Sequence, residues 1–348
     1  MRSLSISYVN RRAVKIAELV LLAFGLDVAA AAGLSYVAGF HSVYQRLGDF
    51  SPIWLVPVAA GITLSFVGYY FSYKQTYRTE GGPGLPKRDL RALVVAGFGG
   101  FFAHGGAKMD QYALQGAGAS EREAKVRVSV LGGLEHGALG IIGTAAGVAA
   151  LLIVRTRPPL DFQYPWTVIP IPGMLLAFWL AERYRERLHG ERGWRDKLGI
   201  FLDSIHLIKH MFANPRRDAA GPAGMLVFWL AELGATWSAL AAFGFRMNVA
   251  SFALGFLTGA VFTRRTGPLA GAGILMLCLP VTIWYSGAPW GAAIAGLFVV
   301  RFLSFWMPLP FSVASLPTLR SIAQTEEDQQ GTPGESGVEP AMDERKAG

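Results

Sequence analysis

The chain has 348 residues, 52% hydrophobic and 16% charged, and its apolar residues come in long blocks rather than in alternation or a narrow stripe. That is membrane composition, which excludes an ordinary soluble domain. The net charge of +8 would suit nucleic acid, but Lys and Arg fall mainly in the short connectors between blocks, where they set topology and meet anionic headgroups; no nucleic-acid partner is expected.

A helix crossing the hydrocarbon core needs about 20 mainly apolar residues. Windows at 14–38, 52–72, 128–154, 164–181, 222–244, 247–262, 268–285 and 288–307 have that character and predict an all-α, polytopic membrane protein with about eight crossings. The first window is too long for a signal-peptide core and is read as a retained helix. The basic start (Arg2, Arg11, Arg12, Lys15) is expected inside, the connector at 40–51 with Arg46 against Asp49 outside, and the basic stretch 73–91 inside again.

The block ALVVAGFGGFFAHGGAKMDQYALQG (92–116) has a short apolar part interrupted by Gly97, Gly99, Gly100, Gly105 and Gly106, which predicts a re-entrant segment. The charged stretch SEREAKVR (Ser120 to Arg127) then stays inside, and the later connectors fall on the sides their charges predict. Both termini are expected on the cytoplasmic side of the cell membrane. In 194–212, Trp194, Leu198, Phe201, Leu202, Ile205, Ile208 and Phe212 recur at helical spacing, giving an amphipathic helix in the interface. The helical transmembrane domain is read as 1–320, followed by a disordered acidic tail over 321–348.

Charge inside a bilayer is costly, so polar residues deep in the apolar windows are the candidates for function. Arg301 stands in GLFVVRFLSFWMPLPF, close enough to its helix end to snorkel or to act within the bundle on lipid phosphate or a carboxylate. Glu135 and His136, in LGGLEHGALG, are surrounded by glycines that let a backbone or ligand approach. Lys108 and Asp110 end the glycine-rich block, where backbone N–H groups beside a lysine could cradle an anion or simply form an interfacial turn. Glu232 lies mid-window as the acidic partner of a cationic group; Asp27 is similar but has no motif around it. Trp229, Trp237, Trp284, Trp290 and Trp306 are read as interfacial belts. A single cysteine, Cys278, excludes an intramolecular disulfide, the scattered histidines form no metal motif, and no cofactor is expected.

Three stretches together resemble a known family: GGFFAHGGAKMDQYALQGAGASEREAKVRVSVLGGLEHGALG, FGFRMNVASFALGFLTGAVFTRRTGPLAGAGILM and VVRFLSFWMPLPFSVASLPTLR. Their order and spacing are similar to the lysylphosphatidylglycerol synthase transmembrane-region family of flippase-like proteins, over roughly residues 15–320. The resemblance implies movement of a phospholipid or polyprenyl-linked glycolipid between leaflets. It places Lys108 at the family's basic residue after the glycines, Glu135 at its acidic residue and Arg301 at its final-helix arginine, with His136 where the family has an arginine. The lysyl-transferring soluble domain is absent, so synthase activity is not implied.

The reading is therefore a lipid translocase with Lys108, Asp110, Glu135, His136, Glu232 and Arg301 as substrate-binding residues. Its expected partners are membrane lipids with anionic headgroups, and a second copy of the chain or an enzyme of lipid synthesis. Two other readings stand beside it: a membrane-embedded transferase or its accessory subunit with Glu135 or Glu232 as base, and a non-catalytic scaffold.

Overall fold

The computed structural model describes residues 2–98, 106–153, 159–188, 193–263, 271–319 and 321–322, with side chains from Glu18 onward except at 96–98. Among these residues every regular element is a helix and no strand occurs. In chain order they are α1 (Arg2–Ala38), α2 (Phe40–Gly48), α3 (Leu55–Arg78), α4 (Lys87–Phe98), α5 (Gly106–Gly116), α6 (Glu121–Ile153), α7 (Leu160–Val168), α8 (Pro170–Tyr184), α9 (Trp194–Ala213), α10 (Pro215–Asp218), α11 (Ala220–Ala242), α12 (Val249–Thr263), α13 (Ile274–Tyr285), α14 (Trp290–Arg301) and α15 (Leu309–Ala314).

Among the described residues six helical stretches are long and apolar enough to cross a membrane: Glu18–Ala38, Pro52–Gly81, Glu121–Ile153, Leu160–Leu188, Ala220–Ala242 and Trp290–Ala314. Their outer faces expose side chains that water would penalise and lipid would not, such as Leu21 (70%), Leu152 (79%) and Leu175 (60%). The chain is thus a polytopic helical membrane protein. The windows at 247–262 and 268–285 form the 15-residue α12 and the 12-residue α13. At 1.5 Å per residue these cover about 22 and 18 Å, less than the roughly 30 Å core. The second is shortened because Gly271 and Gly273 adopt φ of +70° and +77°, so the helix starts only at Ile274.

The segment read as re-entrant contributes α4 and α5, which pack together; residues 99–105 between them lie outside the described residues. The acidic tail from 323 onward also lies outside them.

Without a hydrophobic force between helices in lipid, close packing of small residues holds the bundle. The most extensive helix pair is α3 with α11. A Cβ on Gly68 would sit 2.6 Å from the Gly224 carbonyl oxygen, and one on Gly224 would sit 2.5 Å from that of Gly68, so the two backbones touch through glycine alone. The α12–α13 pair works the same way: Cβ atoms on Gly255 and Gly259 would lie 2.4 Å from Ser286 Oγ and 2.5 Å from Thr282 Oγ1.

Helix α6 begins inside the stretch expected as a connector. Ser120 caps it, its Oγ accepting the Glu123 N–H at 3.2 Å, with Glu123 three residues on as in a capping box. Glu123 also pairs with Arg127, which is turned inward to donate to the Thr76 and Thr79 carbonyls at 3.0 and 2.9 Å and so closes the C-terminal end of α3.

The amphipathic α9 is docked rather than free. Leu202, Ile205 and Ile208 are buried, while Trp194, Leu198, Phe201 and Phe212 of the same stripe remain exposed. On its polar side Arg122 of α6 reaches Asp196 at 2.5 Å and Asp203 at 2.9 Å. His210 faces Glu80 at 2.9 Å and the buried Asp218 at 3.6 Å, tying α9 to the end of α3 and to α10. The tryptophan reading needs one correction: Trp229 is 3% exposed and packs against Phe228 and Phe256 in the core, because its face of α11 is turned into the bundle rather than to an interface.

Candidate functional site

Helix α6 carries glycines at 133, 137, 140, 143 and 147, a spacing of three and four that puts them along one side. Four of them let a neighbour in: added Cβ atoms would lie 2.4 Å from Ile208 Cδ1, 2.9 Å from Pro170 Cβ, 2.1 Å from the Trp166 ring and 2.3 Å from Thr167 Oγ1, for Gly133, Gly140, Gly143 and Gly147 in turn. Gly137 differs, since nothing lies within 4 Å of its Cβ position. It opens on a cavity of about 480 Å³ walled by α6, α8, α9 and the start of α11. That volume lies within the roughly 300–1,000 Å³ of small-molecule sites.

The walls are hydrocarbon: Met174 and Phe178 from α8, Phe201 and Phe212 from α9, and Leu226 from α11. Polar character comes from Ser129 and His136. The His136 Nδ1–H donates to the Gly132 carbonyl at 2.7 Å, one turn back along α6. That bond makes Nδ1 the donor, and among the described residues nothing hydrogen-bonds Nε2. The cavity can accept an apolar chain and offers the Nε2 of one imidazole to a polar group at the chain's head.

Of the residues predicted to bind substrate, only His136 lines this cavity. Lys108 is exposed near the start of α5. Asp110, on the same helix, is buried and accepts the Tyr73 hydroxyl at 3.0 Å, in contact with a ladder of Tyr69, Tyr73 and Tyr77 along α3. Glu135 is 2% exposed, turned away from its neighbour His136 into the bundle. Glu232 is half-buried at the α3–α11 seam and accepts the Ser65 hydroxyl at 2.9 Å.

Arg301 is held elsewhere. Its Nε–H donates to Asp27 Oδ2 at 2.9 Å, with side-chain exposures of 6% and 0%, and its guanidinium lies 3.9 Å from the centre of the Phe305 ring. Asp27 Oδ1 accepts the Gly273 N–H at 2.8 Å, so one carboxylate joins α1, α14 and the start of α13. A cation with a carboxylate partner and an aromatic face is already compensated for leaving water. Arg301 thereby reads as an internal lock, and a lipid phosphate would have to displace Asp27 to reach it.

Sequence reasoning passed over Asp27 as lacking a motif, and Arg127 as part of a connector. The signal for the first was present: an acid and a base each set deep in an apolar window are candidates for each other. For the second it was the Ser120–Glu123 capping box, which moves the start of α6 ahead of Arg127. Among the described residues no group of three or more His, Cys, Asp or Glu side chains is arranged to hold a metal. The class the fold and site define is a helical membrane protein with a glycine-floored apolar cavity. No family model matches the chain, and no curated protein matches it.

Proposed function

We propose that the protein is a lipid translocase: it seats a lipid's hydrocarbon chain in the α6–α8–α9–α11 cavity and passes the lipid between leaflets. The observation that carries this reading is the open floor at Gly137, a hollow between α6, α8, α9 and α11 that packing has left unfilled while Gly133, Gly140, Gly143 and Gly147 of the same helix are packed against neighbours. Such walls give a lipid chain the same hydrocarbon surroundings as the bilayer, so it can enter without a desolvation cost, whereas a polar solute could not. The resemblance to the lysylphosphatidylglycerol synthase transmembrane-region family points the same way.

In this reading the α9 side and both termini face the cytoplasm, 92–116 is re-entrant, and eight segments cross, α12 and α13 doing so where the bilayer is thinned to match them. Exposed Arg183 and Arg187 at the end of the α8 stretch, with Lys108, draw anionic headgroups to that surface, and His136 meets the headgroup as it enters. Arg301 serves by holding α1, α13 and α14 together.

The test is leaflet exchange in reconstituted vesicles, read with a fluorescent phospholipid and an impermeant quencher. Gly137→Leu, which fills the open floor, should slow exchange severalfold, whereas Gly137→Ala should leave it near the wild-type rate. Equal rates for wild type and Gly137→Leu, with the variant monodisperse, would overturn the proposal.

A further inference from the structure

Two walls of the cavity meet where α9 turns into α11. Ile208 and Phe212 of α9 and Pro222 of α11 line the hollow, and between them the chain runs through Asn214 and the short α10. His210 is two residues from both Ile208 and Phe212, so it stands on the opposite side of α9, behind the wall. Its Nδ1 faces Glu80 Oε1 at 2.9 Å, and its Nε2 faces Asp218 Oδ2 at 3.6 Å. The Asn214 side-chain nitrogen lies 3.2 Å from Nε2 and also donates to the His210 carbonyl at 3.0 Å. An amide nitrogen can only donate, so in this arrangement Nε2 is the acceptor and carries no proton.

Asp218 is 1% exposed. Its Oδ1 accepts the Gln75 amide at 2.7 Å and the Thr79 hydroxyl at 3.5 Å, whereas Oδ2 is buried and, among the described residues, has no hydrogen-bond donor. Two acceptors, Oδ2 and Nε2, thus face each other with no hydrogen between them, and a buried carboxylate oxygen left without a donor is unfavourable. Glu80 reaches the ring from the end of α3 at a cost in backbone strain: its φ of +53° is the one positive value at a non-glycine among the described residues. The other charges around this corner are placed differently. Lys209 pairs with Glu182 of α8, Arg185 just after α8 bears on His206 one turn back, and Arg122 of α6 is held by Asp196 and Asp203. Lys74 and Arg78 of α3 and Arg216 and Arg217 of α10 are partly or fully exposed.

We propose that His210 is a proton-operated latch behind the α9 wall of the cavity. Proton uptake at Nε2 puts a hydrogen between the two acceptors; the imidazolium then bridges Glu80 and Asp218, while Asn214 keeps its bond to the His210 carbonyl. The bridge ties α9 to the end of α3 and to α10, and so fixes the wall that carries Ile208 and Phe212. It is made in acid and released as the imidazole gives up its proton, within the range of about pH 5–8 in which histidine changes charge. The consequence for lipid rests on the translocase reading: exchange needs that wall to give, so it runs faster with the latch released.

The experiment pairs two readouts on the full chain at about pH 5.5 and 7.5. Hydrogen exchange by mass spectrometry in nanodiscs, with labelling times scaled to the intrinsic rate at each pH, follows residues 205–218; the fluorescent-phospholipid assay in vesicles follows leaflet exchange. In wild type, 205–218 should be about tenfold better protected at the acid pH, and leaflet exchange severalfold slower there. His210→Gln should remove both differences. Asp218→Asn, which keeps an oxygen for Gln75, should do the same and serves if His210→Gln does not fold. His206→Gln should retain both. Equal protection at the two pH values in wild type, or a difference that survives His210→Gln or vanishes only in His206→Gln, would overturn the latch. Acid protection as expected with leaflet exchange equal at both pH values would overturn its hold on lipid movement. Acid protection with no leaflet exchange at either pH would overturn the translocase reading and leave the latch standing.

Discussion

Removing both members of the Asp27–Arg301 pair should destabilise the bundle no more than removing either one alone. The charges are within hydrogen-bond reach at 2.9 Å and almost wholly buried. At an effective dielectric near 20, unit charges about 4 Å apart attract by roughly 4 kcal/mol, and losing one partner of a buried pair costs about 3–5 kcal/mol because the other is left uncompensated. Arg301→Met keeps the stem length and leaves Asp27 facing hydrocarbon with the Gly273 N–H still bound; it should cost about 3–5 kcal/mol. Asp27→Asn keeps an oxygen for Gly273 and strands the guanidinium beside Phe305, with a similar penalty. The double variant Asp27→Asn/Arg301→Met removes both charges and should lie close to either single one, a coupling of about 3–5 kcal/mol in magnitude. Unfolding of detergent-solubilised protein by titrated denaturing detergent, followed by circular dichroism, reads these differences. Penalties that simply add, with coupling below about 0.5 kcal/mol, would show that the pair does not hold the helices as described.

Other positions separate packing from open space and tether from surface charge. Gly68→Ala drives a Cβ against the Gly224 carbonyl and the Phe228 nitrogen, both backbone atoms, and should cost about 1–3 kcal/mol in the same titration, while Gly137→Ala should stay within about 0.5 kcal/mol. Arg122→Ala releases Asp196 and Asp203; with the arginine 28% exposed the loss should be about 1 kcal/mol, and faster hydrogen exchange across 194–203 would report it. Arg122→Lys should not restore protection, because a single ammonium cannot fork between two carboxylates. Burial first, then Arg185, holds the His206 imidazole below its ordinary value of 6.5. The folded state therefore binds that proton less readily than the unfolded one, so stability is complete above about pH 6.5 and declines as pH falls below it. His206→Gln should flatten that decline, and an unchanged slope would remove His206 as its source.

Six spans were legible because length and apolar content alone decide whether a helix can cross. Their pairing was not, since it depends on partners distant in sequence. The α3–α11 seam needs Gly68 and Gly224 to meet, and neither position differs in the sequence from a dozen other glycines. The α6 glycines illustrate the same limit: their spacing predicts a small-residue face, but only the placement of Ile208, Pro170, Trp166 and Thr167 shows that Gly137 is the open one. Arg301 and Asp27 were each visible as charge in an apolar block, yet 274 residues separate them and nothing local announces the pair. Trp229 misled because interfacial tryptophan is the default in membranes, whereas here the α11 face it occupies is buried. The amphipathic pattern of α9 was correct as a helix, and what it could not convey is that half of its apolar stripe closes against α6 while Arg122 grips the polar side.

The most direct measurement is native mass spectrometry of the protein purified in mild detergent, wild type beside Gly137→Leu. Wild type should carry a retained lipid whose occupancy falls sharply in Gly137→Leu, while Gly137→Ala keeps it. Wild type that carries no lipid, or equal occupancy in wild type and Gly137→Leu, would contradict the claim that the glycine-floored cavity is where lipid is held.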